Sequence, residues 1–289
     1  MHTPRIEYKN NVLSVYFDDV KPGWEQWVQL TGDRHHDNKY CRRDIEERHL
    51  ELAKERGALI VDVGDAFCAM QGKYDPRSDM SQIRPEDVSV NYLDTIVNHA
   101  IEFYSPYAKH FLLLGRGNHD QNILNRHGTD LISNLVHGIN TNGGNCRAGG
   151  YGGWIRMEFI RSGHYQRFNI KYHHGSAGGN SPVTRGVIQT NRQAVYLPDA
   201  DAVVNGHTHD SYYVPIARER ITHMGDISRD IVHFIRTATY KDEYRDGSTG
   251  WAVEKGHAPK PLGCAWIHFV YDSHRDCDYV KASVILDIE

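Results

Sequence analysis

The sequence is short of cysteine, of long apolar runs and of surplus positive charge. Its five cysteines are odd in number, lie far apart and form no C-x-x-C pair, so they suggest neither a disulfide framework nor a zinc–thiolate site. No segment approaches the ~20 consecutive apolar residues of a membrane span, and the first residues lack the apolar core of a signal peptide. We therefore expect a cytoplasmic protein with no membrane partner.

Charge and composition narrow the class of protein further. Lysine and arginine number 33 against 37 aspartate and glutamate, and the net charge of -4 excludes binding of nucleic acid or membrane through bulk positive charge. Of the 289 residues, 39% are hydrophobic, which is enough for a sizeable core. We expect a single domain over residues 1–289. Histidine is unusually frequent, at 19, and position has to show whether some of these histidines bind metal.

The first half of the chain alternates short apolar runs with amphipathic patterns. Runs at 27–30, 58–63 and 110–114 predict buried strands, and helical spacing of apolar residues over 39–56 and 93–104 predicts two helices. Such alternation is typical of an α/β fold.

The second half is rich in β-branched and aromatic residues and predicts mostly strands. The predicted strands are 154–160, 166–173, 201–205, 211–216, 231–237, 264–271 and 279–287. A turn-rich segment at 272–278 suits a closing hairpin. Glycine-rich stretches at 143–153 and 175–179 are loops by composition.

Five short polar clusters each follow, or lie at the end of, an apolar run. They are Asp33-Arg-His35, Gly64-Asp65, Gly117-Asn-His-Asp120, His173-His174-Gly175 and Gly206-His-Thr-His209. In sheet-based α/β folds the loops at the carboxyl ends of strands converge on one crevice, so these side chains can meet there. Aspartate, asparagine and histidine offer oxygen and imidazole nitrogen, which suit manganese, iron or zinc.

The ordered series D-x-H, G-D, G-N-H-D, H-G and G-H-x-H resembles the calcineurin-like metallophosphoesterase superfamily. Each pair alone recurs by chance, but the order and the two longer motifs make the match specific. The resemblance implies an α/β sandwich in which two mixed β-sheets pack face to face, helices lie outside, and the active site occupies loops at one end. It also implies hydrolysis of a phosphoester.

The resemblance further implies two divalent metal ions, with manganese favoured in vitro. One ion would be held by Asp33, His35 and His209, the other by Asn118, His174 and His207, and Asp65 would bridge them. The implied nucleophile is a hydroxide between the ions. His119 would deliver a proton to the leaving oxygen, and Asp120 would accept a hydrogen bond from the other ring nitrogen of His119.

Several neighbouring residues allow two readings. His174 is preferred over His173 as a ligand because it precedes Gly175 and because only one of two successive strand residues faces the site. His36 and Asp37 fit no ligand position, so we expect them at the surface or behind the ligands.

Candidate substrate residues are fewer and less specific. Arg116 and Arg147 could clamp a phosphate with their planar guanidinium groups, although exposed arginines are common. Tyr240 and Lys241 could line the substrate crevice, but a turn on its rim is the favoured interpretation.

One departure from the superfamily bears on the substrate. Cys68 stands where many members have an acidic residue three positions after the aspartate of the G-D motif, so the monoesterase-like G-D-x-x-D form is not supported. We expect Cys68 to be a buried filler. The prediction is therefore a phosphodiesterase, with nucleotides and nucleic acids among its candidate substrates. The alternatives are a phosphomonoesterase or protein phosphatase, a nuclease, and a non-catalytic scaffold.

Overall fold

The computed structural model describes residues 4–69, 79–175, 186–248, 251–272 and 279–289. Residues 273–278 of the predicted turn at 272–278 and residues 176–179 of the second glycine-rich stretch lie outside the described residues. No helix in the described ranges is long and apolar enough to cross a membrane.

The elements follow the predicted change from alternating helices and strands to mostly strands. The helices are α1 (Arg43–Glu55), α2 (Tyr92–Tyr104), α3 (Asn118–His127), α4 (Leu131–Thr141), α5 (Val187–Tyr196) and α6 (Trp251–Glu254). The strands are β1 (Arg5–Lys9), β2 (Val12–Phe17), β3 (Glu25–Thr31), β4 (Leu59–Asp62), β5 (Phe111–Leu114), β6 (Arg147–Ala148), β7 (Gly152–Arg161), β8 (His164–His173), β9 (Ala202–Asn205), β10 (Tyr212–Ile221), β11 (Ile227–Arg236), β12 (Gly263–Tyr271) and β13 (Val280–Ile288).

The strands form two mixed sheets. The first sheet has six strands in the order β13-β12-β3-β4-β5-β6, and β3 to β6 run parallel. The second has seven strands in the order β1-β2-β7-β8-β9-β11-β10, with β8, β9 and β11 parallel. The predicted α/β arrangement of two mixed sheets is therefore confirmed.

Apolar alternation along the strands builds the layers. In β4, Leu59 and Val61 face the core between the two sheets, whereas Ile60 faces the core beneath the helices. Helices α1, α2 and α4 cover the outer face of the first sheet. Helix α5 packs on the second sheet through Ala194, and Leu197, directly after the helix, packs on the same cluster, so helices lie outside both sheets.

The ends of the parallel strands bring the predicted site residues to one edge of the molecule. Strands β3, β4 and β5 are parallel, and their carboxyl ends lead into the Asp33, Asp65 and Asn118 loops. In the second sheet, β8 and β9 are parallel and lead into His174 and His207. Since parallel strands end at the same edge, the five polar clusters meet there as predicted.

Candidate metal centre

Backbone hydrogen bonds tie the loops of the two sheets together. The amide of His207 donates to Oδ2 of Asp33 at 2.7 Å, and the amide of Gly206 donates to the carbonyl of His174 at 2.8 Å. Within the first sheet, the amide of Asp33 donates to the carbonyl of Gly64 at 2.8 Å. The edge is therefore one connected unit built from both sheets.

The predicted ligands sit on unusual backbone. Left-handed φ angles occur at Asp33 (52°), His35 (48°), Asp65 (58°), His207 (73°) and His209 (58°). This conformation is unfavourable for residues with a Cβ and persists only where the surrounding structure enforces it. Five of the seven predicted ligands are therefore held in a conformation that the surrounding structure enforces.

Glycine is required beside two of the carboxylates. A Cβ on Gly117 would lie 2.0 Å from Oδ1 of Asp65, and one on Gly206 would lie 2.7 Å from Oδ2 of Asp33. Both distances are far below van der Waals contact. The glycines of the G-N-H-D and G-H-x-H motifs therefore leave the space that the two carboxylates occupy.

Asp33, His35 and His209 form a first donor group. Nε2 of His35 lies 3.2 Å from Nε2 of His209, which lies 3.5 Å from Oδ1 of Asp33. All three donor atoms fall within 4.8 Å of one another.

A second donor group lies beside it and contains Asp65, His174 and His207, again within 4.8 Å of one another. Nε2 of His174 is 3.3 Å from Oδ2 of Asp65. Oδ1 of Asn118 lies 3.1 Å from Nε2 of His174 and 2.7 Å from Nδ1 of His207. The seven predicted ligands thus fall into two neighbouring groups, and His174, not His173, faces Asp65.

The donor atoms fit metal ions. Oδ1 of Asp33 is buried and has no hydrogen-bond partner among the described residues. Donors that share one ion at bonds of about 2.0–2.1 Å lie about 2.9–3.4 Å apart, a range that includes the His35–His209 spacing. Carboxylate, amide and imidazole are also the donor set that borderline divalent ions prefer.

The buried carboxylates at this edge favour positive charge on the groups beside them. Burial lowers the pKa of His209, but Glu243 and Asp33 outweigh it and raise that pKa to about 10. Burial is likewise outweighed by Asp65 at His174, whose pKa rises to about 9. Burial lowers the pKa of His35 well below its usual value. The carboxylates therefore draw positive charge, and ions bound there would displace protons from the imidazoles.

Asp65 contacts both His119 and the second donor group. Its Oδ1 accepts the amide hydrogen of His119 at 2.8 Å, and its Oδ2 lies 4.0 Å from Nε2 of the same residue. Burial would raise the pKa of Asp65, yet the neighbouring His174 and His119 hold it well below the usual value. By distance Asp65 belongs to the second donor group, and the bridging role remains a prediction.

The predicted partner of the His119 ring is wrong. Nδ1 of His119 lies 2.8 Å from the backbone carbonyl of Cys68, so that carbonyl accepts its hydrogen. Oδ2 of Asp120 instead accepts the amides of Asp65 at 2.9 Å and Gly117 at 3.0 Å. Asp120 lies in the first turn of helix α3, and its carboxylate turns inward to the Gly64-Asp65 loop.

The residues with two readings lie inside the protein. Asp37 is buried, and its carboxylate accepts the amides of Cys68 at 2.6 Å and Ala69 at 2.8 Å, so it supports the loop behind the ligands. Tyr240 and Lys241 are also buried, which overturns the prediction of a turn on the rim.

His36 and His173 have local partners. His36 is buried, with Nδ1 3.3 Å from Oε2 of Glu46. Nδ1 of His173 accepts the amide of Gly175 at 3.0 Å.

The two candidate phosphate clamps differ in their surroundings. The guanidinium of Arg116 forms an ion pair with Asp130 near the start of α4. Arg147 is exposed on the edge strand β6, and none of its described contacts is with a predicted ligand. The structure thus brings together the predicted ligands and His119, while Arg116 is already paired.

Sequence reasoning missed two contacts at the first donor group. Oε2 of Glu243 lies 3.4 Å from Nδ1 of His209, and its other oxygen pairs with Nζ of Lys241 at 2.9 Å. Sγ of Cys68 lies 3.2 Å from Nδ1 of His35, so Cys68 is more than a filler. No sequence motif indicates either contact, because each joins segments that are far apart in the chain.

Comparison with protein-family models and with curated proteins finds no match. Among solved structures, the chain is similar to a predicted phosphoesterase from Streptococcus pneumoniae TIGR4 (11% identity, TM-score 0.33, covering 91% of this chain and 90% of that one). It is also similar to Vps29 complexed with zinc from Entamoeba histolytica (11%, 0.34, 90% and 98%). A third similar structure is a metallophosphoesterase from Sphaerobacter thermophilus (12%, 0.30, 90% and 88%).

Proposed function

We propose that the protein hydrolyses a phosphoester at a centre of two divalent metal ions. The observation that supports this most is the pair of nitrogen and oxygen donor groups at one strand edge, with His119 beside Asp65. Bound there, divalent ions would supply Lewis-acid stabilisation of a phosphoryl oxygen and a water of lowered pKa. The chain's own residues would orient the substrate and transfer a proton to the leaving oxygen.

In this proposal, His119 delivers that proton. The Cys68 carbonyl accepts hydrogen from Nδ1, so the proton to be transferred resides on Nε2, on the side of the ring that faces Asp65. A protonated imidazole in this position acts as a general acid toward the leaving oxygen. The backbone amide of His119 is held by Asp65, which ties the acid to the second donor group.

We further propose a preference for phosphodiesters. Two cations near the edge are neutralised within the protein, since Arg116 pairs with Asp130 and Lys241 with Glu243. A phosphodiester carries one negative charge and needs less positive charge from its site than a dianionic monoester does. Cys68 also supplies no carboxylate at the position where the monoesterase-like motif has one.

A substrate comparison tests both proposals. We expect the manganese-loaded protein to hydrolyse bis-nitrophenyl phosphate with a higher kcat/KM than mono-nitrophenyl phosphate. A higher value for the monoester would refute the diester preference and leave a phosphatase. Cleavage of oligonucleotides would assign a nuclease, and no turnover of any substrate by the loaded protein would favour a scaffold.

A further inference from the structure

A third group of metal-binding side chains lies on the helix side of the first sheet. It comprises His49 of α1, Cys264 of β12 and Asp287 of β13, whose donor atoms all lie within 4.8 Å of one another. None of the three belongs to the motifs that predict the metal centre. Cys264 and His49 are fully buried, and the Asp287 side chain is 35% exposed.

The fold brings these three side chains together rigidly. Cys264 and Asp287 are directly opposite each other in the antiparallel register of β12 and β13, so their side chains share one face of the sheet. Helix α1 packs across β12 on that face and supplies His49. Three separate elements therefore contribute one donor each.

Hydrogen bonding within the group is incomplete. Nδ1 of His49 is 3.1 Å from the hydroxyl of Tyr240, but the buried Nε2 has no hydrogen-bond partner among the described residues. The nearest carboxylate oxygen, Oδ1 of Asp287, is 3.6 Å away, which is too far for a hydrogen bond. The buried Oε1 of Gln29 is also without a described partner, and its amide nitrogen lies 3.6 Å from Sγ of Cys264.

The unpaired nitrogen is best explained by a cation. Burial lowers the pKa of His49, so its imidazole is neutral near pH 7. In either tautomer of His49 the buried Nε2, as a lone pair or as an N–H group, has no hydrogen-bond partner among the described residues, which is unfavourable in a buried site. A cation shared by Nε2, the thiolate and the carboxylate would satisfy all three groups.

We propose that His49 Nε2, Cys264 Sγ and Asp287 Oδ1 bind one zinc-type transition-metal ion. Imidazole, thiolate and carboxylate together are a zinc donor set, and magnesium or calcium would not select a thiolate. Binding releases the thiol proton of Cys264 to solvent, because the thiolate is the ligand.

The ion would fasten the last strand to the first helix. The C-terminal Glu289 already pairs with Arg48 of α1 at 2.6 Å on the same side. Tyr240, which contacts His49 through its hydroxyl, also donates its amide to the carbonyl of Asp33 at 3.2 Å. The bound ion would therefore stabilise the framework behind the first donor group without touching substrate.

Cobalt spectroscopy tests the site apart from activity. The protein is stripped with a chelator and loaded with Co²⁺, which gives near-ultraviolet sulfur-to-cobalt charge-transfer absorption only when a thiolate is a ligand. We expect this band in the unmodified protein and in Cys146→Ser and Cys68→Ser. We expect it to be lost in Cys264→Ser and weakened in Asp287→Asn, a substitution of equal size at a side chain that is 35% exposed.

The outcomes separate cleanly. A folded, cobalt-loaded parent without the band overturns the proposal, and so does a band that Cys68→Ser removes, since the thiolate would then lie at the candidate metal centre. As a second measurement, Zn²⁺ should raise Tm more in the parent than in Asp287→Asn. Equal shifts in the two proteins would also refute the site.

Discussion

The carboxylate of Glu243 lies 3.4 Å from Nδ1 of His209 and turns the opposite nitrogen of that ring toward Asp33 and His35. A carboxylate that holds one imidazole nitrogen fixes the tautomer and leaves the other nitrogen to a metal ion. Lys241 holds Glu243 in turn, at 2.9 Å. The first donor group thus depends on a residue outside every recognised motif.

We predict that Glu243→Gln weakens binding at the first donor group. Glutamine can still contact the ring, but it lacks the charge that stabilises a cation bound to His209, so metal affinity should fall by ~10–100-fold. Titration of the stripped protein with Mn²⁺, monitored by calorimetry, measures the loss. Glu219→Gln, at an exposed position of β10, is the matched control and should bind as the parent does. Equal affinities of Glu243→Gln and the parent would contradict the positioning role.

The predicted bridging role of Asp65 is tested by Asp65→Asn. The asparagine can keep the hydrogen bond from the His119 amide but loses the charge that two cations would share. We expect the Mn²⁺ content after reloading to fall by about one ion per chain and hydrolysis to fall with it. Asp94→Asn, at an exposed position of α2, is the matched control. Parent-like metal content in Asp65→Asn would remove Asp65 from the bridging position.

His119→Asn separates proton delivery from metal binding. We expect its metal content to match the parent, while turnover of a substrate with a poor leaving group falls by ~10²–10⁴-fold. The deficit should shrink for nitrophenyl esters, because nitrophenolate departs without a proton. Rates across a series of leaving groups of rising pKa measure this dependence. A deficit that is the same along the series would rule out general-acid catalysis by His119.

The sequence predicted the strands better than the helices. All seven apolar runs of the second half lie on strands β7 to β13, because alternating β-branched and aromatic residues mark a half-buried strand. Strands β1, β2 and β6 and helices α3 to α6 were not predicted. In α4, Leu131, Leu135 and Ile139 do recur at helical spacing, and Asp130 accepts the Ser133 amide, so a signal for that helix was present.

At the site, the sequence identified the polar residues that follow the strand ends. It missed the residues from other loops that contact them. The ordered motifs placed Asp33, Asp65 and His207 at one edge because parallel strands end together. Glu243 and Cys68 gave no such signal, since their contacts depend on how loops fold back. Asp120 was misassigned because proximity in sequence to His119 does not fix where a helical side chain points.

Behind the Asp33 loop, a buried charge network supports the first sheet. Arg34 pairs with Asp62 of β4 and with Glu46 of α1, both at 2.6 Å, and all three side chains are fully buried. The hydroxyl of Tyr104 donates to the same Glu46 at 2.6 Å. The network joins α1, α2 and β4 directly beside the ligand loop, so its charge state matters for stability.

The network predicts a stability that depends on pH through Glu46. Burial would raise the pKa of this carboxyl, but its hydrogen bond with His36 and the charge of Arg34 outweigh burial and lower the pKa to about 2. A carboxyl with a lowered pKa stabilises the fold above its unfolded pKa, and that contribution is lost as pH falls toward the folded pKa. The loss therefore spans about pH 4.5 to about pH 2 and amounts to about 3 kcal/mol.

Comparison of Glu46→Gln with the parent measures how much the charge of Glu46 contributes to the free energy of unfolding. Urea unfolding of the chelator-treated proteins should show Glu46→Gln clearly less stable near about pH 7, with the gap narrowing as pH falls to about pH 3 because the parent's own Glu46 becomes protonated. Glu47→Gln, one residue along α1 and exposed, should track the parent at every pH. A gap between parent and Glu46→Gln that stays constant or widens on acidification would show that the charge of Glu46 does not stabilise the fold.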